Sequence, residues 1–126
     1  MTRRELIDLC LSYPGSYEDY PFDDFTNAGG DGTSWTVMRH RGNKKSFALI
    51  FERDGLCINL KCEPMRADFL RSALPGVMPA YHMNKERWVS LLLGSSADRE
   101  QAEALLRLSY ENTLGEPKAK RRKERV

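Results

Sequence analysis

Trp35-Thr36-Val37-Met38-Arg39-His40-Arg41, Gly42-Asn43, Lys44-Lys45-Ser46-Phe47-Ala48-Leu49-Ile50-Phe51-Glu52-Arg53, Asp54-Gly55 and Leu56-Cys57-Ile58-Asn59-Leu60-Lys61 follow one another without interruption. Gly42-Asn43 and Asp54-Gly55 are hairpin signals, because both dipeptides tolerate the positive φ that tight turns require. The three segments around them are rich in β-branched and aromatic residues, as strands are. Two-residue loops set a register in which Val37 faces Ala48, Trp35 faces Ile50, Ile50 faces Asn59 and Phe51 faces Ile58. Alternation then divides the sheet. Met38, Phe47, Leu49, Phe51, Ile58 and Leu60 are expected in the core. Trp35, Val37, Arg39, Arg41, Lys44, Ala48, Ile50, Asn59 and Lys61 are expected on the opposite face, four of them basic.

On the N-terminal side, Thr2-Arg3-Arg4-Glu5 is a capping box, with Thr2 as N-cap and Glu5 three residues later. Leu6, Leu9, Cys10 and Tyr13 mark one face of the helix it opens, and Pro14-Gly15 closes that helix. Residues 16–33 read as an acidic, Gly-rich loop anchored by Tyr17, Tyr20, Phe22 and Phe25. On the C-terminal side, Pro64 suits the first turn of a second helix whose apolar side is Met65, Phe69, Leu70, Ala73 and Leu74. Residues 75–86 are too polar for a core strand and too rich in large side chains for a linker, so they read as an ordered loop. Trp88 to Leu93 is a fourth strand, and Ala97 to Leu114 a last helix with Ala102, Leu105, Leu106, Ser109 and Thr113 facing inward. The fold class is α+β in the order α-β-β-β-α-β-α, a twisted antiparallel sheet with helices packed on one face.

The chain has 126 residues, which suits one domain, expected over 1–115. Six of the 20 Lys/Arg and two of the 18 Asp/Glu lie in 116–126, leaving 14 against 16 in the rest. The terminal segment is thus the basic element, read as a disordered tail that is either a solvated end or a polyanion contact. No apolar stretch approaches the roughly 20 residues of a membrane helix, and residues 1–13 read as a helix and not a leader, so the expected location is cytoplasmic, without a membrane partner. Cys10, Cys57 and Cys62 are odd in number and irregularly spaced, which points to buried thiols and not to disulfides. Cys57 and Cys62 fall on opposite faces of a strand, a poor metal pair. The acidic residues of 18–31 lack a histidine, and no metal or other cofactor is expected. With two histidines no catalytic triad spacing stands out, and Gly29-Gly30-Asp31-Gly32 lacks the Lys-Ser/Thr of a phosphate loop. The chain therefore reads as non-catalytic, with no small-molecule substrate.

Several short motifs, in order, resemble the MmcQ/YjbR family. They are Cys10-Leu11 with Pro14-Gly15, Asp19-Tyr20-Pro21-Phe22, Leu60-Lys61 with Pro64, Pro75-Gly76, Pro79, His82-x-Asn84-Lys85-x-x-Trp88 and Ser109-Tyr110. The resemblance spans most of the chain and implies a CyaY-like fold, similar to frataxin-like domains and to a double-wing DNA-binding domain, with DNA as the partner. Ala80 stands where the family commonly has Gly, and the Gly-rich 26–34 segment is longer than usual. The residues themselves point the same way. Arg39, Arg41, Lys44 and Lys61 on one face, with Lys45 and His40 beside the hairpin tip, are expected to meet phosphates, and Trp35 and Ile50 to pack on sugars or bases. His82, Asn84 and Lys85 extend that surface, or else hold the shape of their own loop. The alternative is a protein-interaction module that uses the same face with Trp35 as its anchor.

Overall fold

The computed structural model describes residues 1–22, 35–63, 66–74, 76–93 and 99–115. Residues 23–34 of the expected acidic, Gly-rich loop, with Phe25, and Pro64, Met65, Pro75 and the basic tail lie outside the described residues. The elements run α1 (Arg3–Leu11), β1 (Ser16–Asp19), β2 (Thr36–His40), β3 (Ser46–Glu52), β4 (Leu56–Lys61), α2 (Arg66–Ala73), β5 (Val77–Pro79), β6 (Trp88–Leu92) and α3 (Arg99–Leu114). One antiparallel sheet has the order β1-β2-β3-β4-β6-β5. The α+β class stands, but with six strands instead of four. β1 escapes a pattern reading because its Ser-Tyr-Glu-Asp sequence buries Ser16 alone. β5 escapes it because it is three residues long and ends in Pro79.

α1 opens as expected. The Glu5 amide donates to Thr2 Oγ1 at 3.1 Å, and the Thr2 amide donates to Glu5 Oε1 at 3.0 Å. The helices cover one side of the sheet, where Leu6, Ile7 and Cys10 of α1, Ala67 and Leu70 of α2, and Ala102, Leu105, Leu106 and Tyr110 of α3 meet Met38, Phe47, Ile50, Ile58, Leu60, Val89 and Leu91. In α2 the expected apolar side is rotated. Ala67 and Leu70 are buried and Leu74 half-buried, whereas Phe69 is 65% exposed. Positions 67, 70 and 74 share one stripe at helical spacing, and 69 falls outside it. Tyr20 and Phe22, expected as core anchors, are exposed.

Two irregularities correct the expected register. The β3–β4 loop has three residues, not two: Glu52 pairs with Leu56, and the Arg53 amide donates to the Gly55 carbonyl at 2.9 Å. Asp54 and Gly55 both take positive φ, 57° and 131°. Between β2 and β3 a bulge pairs Met38 with Ala48 but Arg39 with Ser46. Phe47 is the extra residue, and Phe47 and Ala48 both turn toward the helices. Beyond the bulge β3 runs out of phase with the two-residue-loop register. Ala48 and Ile50 join the helix-side core, while Leu49 packs with Val37 on the other side. The parity of Met38, Ile58 and Leu60 holds.

Polar pins on α3 fix this arrangement. Ser109, fully buried, donates to the Phe47 carbonyl at 2.5 Å and accepts from the Lys61 amide at 2.8 Å. Asn43 donates from Nδ2 to the carbonyls of Thr113 and Leu114 at 3.0 and 3.1 Å, so the hairpin tip caps the end of α3. Tyr110 OH donates to the Pro14 carbonyl.

Candidate nucleic-acid interface

Away from the helices, the sheet carries a second, smaller cluster: Val37, Leu49, Ala80 and Trp88, with Trp35 and Met83 against it. Residues 80–87 fold over this face because a buried polar network holds them there. Asn59 Nδ2 donates to the Tyr81 carbonyl at 3.0 Å, the Tyr81 amide donates to Ser90 Oγ at 3.0 Å, and the Ser90 hydroxyl donates to Asn59 Oδ1. Asn59 is 0% exposed, so each of its bonds replaces one with water. Farther along, Asn84 Oδ1 accepts from the Glu86 amide at 2.8 Å and the Asn84 carbonyl accepts from Trp88 at 3.0 Å. Asn84 thus shapes the turn that returns the chain to β6. Between these anchors His82 takes φ 59°, a left-handed conformation that costs a side chain roughly 1 kcal/mol.

The network sets out a row of rings. Trp35 stacks on Phe51 with centroids 4.4 Å apart and planes 12° apart, Phe51 lies 5.6 Å from Tyr81, and Tyr81 lies 4.0 Å from His82. The Arg53 guanidinium sits over Tyr81, 4.1 Å from its centroid. Phe51 is buried, Trp35 and Tyr81 are half-buried, and His82 is exposed. Recesses open on both sides of this row. One, about 270 Å³, is lined by Phe22, Trp35, Leu49, His82 and Met83. The other, about 610 Å³, runs from the Arg53-Asp54 turn past Phe51, Cys57 and Leu92 to Tyr81, His82 and Lys85.

The residues singled out from the sequence separate into two groups. Arg39, Arg41, Lys44 and Lys45 gather at the β2–β3 hairpin, with Lys61 at the same end of the sheet. Arg39 is already engaged: Nε donates to Asp19 Oδ2 at 2.7 Å and Nη1 to the Lys44 carbonyl at 3.0 Å. Arg41 lies in the turn with its guanidinium 5.4 Å from the Tyr17 centroid. Lys44, at φ 62°, and Lys45 lie outside the strands, so the four cations expected on one sheet face do not all stand on strands. Among the described residues no lysine is ion-paired. His82 and Lys85 belong to the second group, at the groove. Tyr81, Arg53 and Phe51 complete that group and were not singled out. The signal for Arg53 was its place beside a hairpin turn. The signal for Phe51 required the three-residue loop.

Two shifted groups mark how closed the interior is. Burial raises the Cys57 thiol, which donates to the carbonyls of Arg53 and Gly55 at 3.5 Å each. His40, expected beside the hairpin tip as a phosphate contact, is instead buried against Phe47 and Tyr110. Burial, and to a smaller extent Lys45, lowers it, against a raising contribution from the Tyr110 backbone. Thr113 spends its hydroxyl proton on the Ser109 carbonyl, so His40 Nε2 carries the proton of the 2.7 Å contact between them. Among the described residues no group of three or more His, Cys, Asp or Glu side chains is placed to hold a metal ion, and no helix is long and apolar enough to cross a membrane.

Fold and site together define an α+β domain whose sheet has one side under helices and the other under an aromatic, loop-covered face. The YjbR family model matches residues 11–112, and the chain belongs to that family. It is 30% identical to the uncharacterised protein YyaQ of Bacillus subtilis over 124 residues, 90% of this chain and 98% of that protein. It is 28% identical to the uncharacterised protein YjbR of Escherichia coli K12, over 95% of this chain and 96% of that protein. A Pseudomonas syringae crystal structure superposes with TM-score 0.74 at 30% identity, covering 90% of this chain and 99% of that one. A Deinococcus radiodurans structure with a DUF419 domain gives TM-score 0.72 at 32% identity, covering 97% and 86%.

Proposed function

We propose that the chain is a non-catalytic, cytoplasmic nucleic-acid-binding protein that lays a strand across the helix-free face of its sheet. The observation that carries this reading is the row Trp35, Phe51, Tyr81 and His82, open on both sides and flanked by Arg53 and Lys85, with the hairpin cations toward the other end of β2 and β3. Aromatic rings on a sheet face take unpaired bases, each stacked base contributing roughly 1–3 kcal/mol. Lys44, Lys45 and Lys61 supply phosphate contacts at one end. The double-wing likeness implied by the family resemblance favours the same partner, and three buried, unlinked cysteines suit a reducing compartment.

Fluorescence anisotropy of labelled single-stranded and duplex DNA, at low and moderate salt, tests this with the full chain, Trp35→Ala, Tyr81→Ala and Lys44→Ala/Lys45→Ala. The proposal expects single strands to bind more tightly, each ring substitution to weaken binding about fivefold or more, and the lysine pair to reduce the salt slope. Equal binding by all four proteins removes the sheet face from the account. A protein partner is the second reading, favoured by the apolar recess at Phe22, Trp35, Leu49 and Met83. Under that reading no oligonucleotide binds, even at low salt.

A further inference from the structure

The 610 Å³ groove beside Tyr81 is built differently from a flat stacking surface. Its volume falls within the roughly 300–1,000 Å³ of small-ligand sites. Its apolar lining is Phe51, Cys57, Met78 and Leu92. The polar groups beneath it are spent, since Ser90 and Asn59 bond each other and the Tyr81 backbone. A ligand body therefore meets apolar surface there, without competition from open donors. The rim is cationic. Among the described residues neither Arg53 nor Lys85 has a carboxylate within ion-pairing distance, and the Arg53 guanidinium rests on the Tyr81 ring. A guanidinium lying on a ring keeps its edge donors, the arrangement that grips a phosphate or carboxylate in two bonds. Among the described residues, Asp54 is the one carboxylate lining the groove. It disfavours a dianion deep at the turn and leaves the side toward Lys85 and His82 for the anionic group.

We propose that this groove binds a planar aromatic anion of the nucleoside-monophosphate class, with the base on the Phe51–Leu92 floor and the phosphate held by Arg53 and Lys85. Choosing a nucleoside phosphate over other aromatic anions rests on the nucleic-acid reading above. On a bound strand the groove then receives one nucleotide turned out of the stack.

The test is an amide NMR titration of the full chain with 5′-AMP, adenosine and inorganic phosphate in parallel. The expected result is saturable 5′-AMP shifts at Arg53, Cys57, Ser90 and Leu92, with adenosine and phosphate each about tenfold weaker or more. Arg53→Ala and Lys85→Ala, both exposed positions, should each weaken 5′-AMP by about tenfold while leaving adenosine unchanged. Shifts no larger for 5′-AMP than for phosphate alone, or confined to residues 41–45, would overturn the site. So would 5′-AMP affinity unchanged in both variants. Single-stranded DNA binding that persists without any 5′-AMP binding overturns the groove and leaves the strand reading. 5′-AMP binding without oligonucleotide binding does the reverse.

Discussion

Asn59→Ala is the substitution with the most to say about this fold. It removes the hub of the network that ties residues 80–87 to the sheet. The Tyr81 carbonyl loses its 3.0 Å donor, and the Ser90 hydroxyl loses its acceptor. The Ser90 hydroxyl is buried and the Tyr81 carbonyl partly so, and each unsatisfied buried polar atom costs about 1–3 kcal/mol. Partial rescue by water from the adjacent groove lowers the sum, so the expected loss is roughly 2–4 kcal/mol. Against a typical stability of about 5–15 kcal/mol, that is a large fraction. Urea unfolding followed by tryptophan fluorescence measures it, since Trp35 and Trp88 both pack in the cluster that this segment covers. Ser90→Ala removes another member of the same network, so the double substitution should cost clearly less than the sum of the singles. A loss below about 0.5 kcal/mol, with additive singles, would refute the view that buried hydrogen bonds hold the segment in place.

Other consequences are independent of that one. Because burial lowers His40, the unfolded chain binds its proton more readily; stability is full above the ordinary value of 6.5 and falls as pH drops through it, by up to about 1.4 kcal/mol per pH unit. Urea midpoints at pH 7.5, 6.5 and 5.5 should show this, with a flatter profile in His40→Gln. Asn43→Ala should cost about 1 kcal/mol by leaving the last carbonyls of α3 without their cap, read as faster amide exchange in the final turn. Arg39→Ala should weaken single-stranded DNA binding less than Lys44→Ala/Lys45→Ala in the same anisotropy assay, because its guanidinium is already committed to Asp19 and to the Lys44 carbonyl.

Much of the helix-side architecture is legible in the chain. The Thr2–Glu5 capping box, the inward stripe of α3 and the outer position of Arg39 all follow from local rules, and each is found. What escapes pattern reading is the phase of β3. Leu49 and Phe51 look like core residues of an alternating strand, and Ala48 and Ile50 look like their opposites. One extra residue in the 53–55 loop and one bulge at Phe47 reverse that assignment, and neither leaves a local sequence signature. The candidate site inherits the error. A sheet face read as basic carries an aromatic row flanked by Arg53 and Lys85, and the cations read from the sequence gather at the hairpin end. His82 and Lys85 were legible through the family motif. Arg53 was not, because its role depends on a Tyr81 ring 28 residues away in sequence that only the Asn59–Ser90 network brings beneath it.

Amide shift mapping of the chain with a short oligothymidylate tests the central claim most directly, because it reports which side of the sheet meets the strand. The account expects saturable shifts at Trp35, Leu49, Tyr81, His82 and Lys85, weakening with salt, and none along α1 or α3. Shifts confined to the helical side, or to residues 116–126, would contradict it.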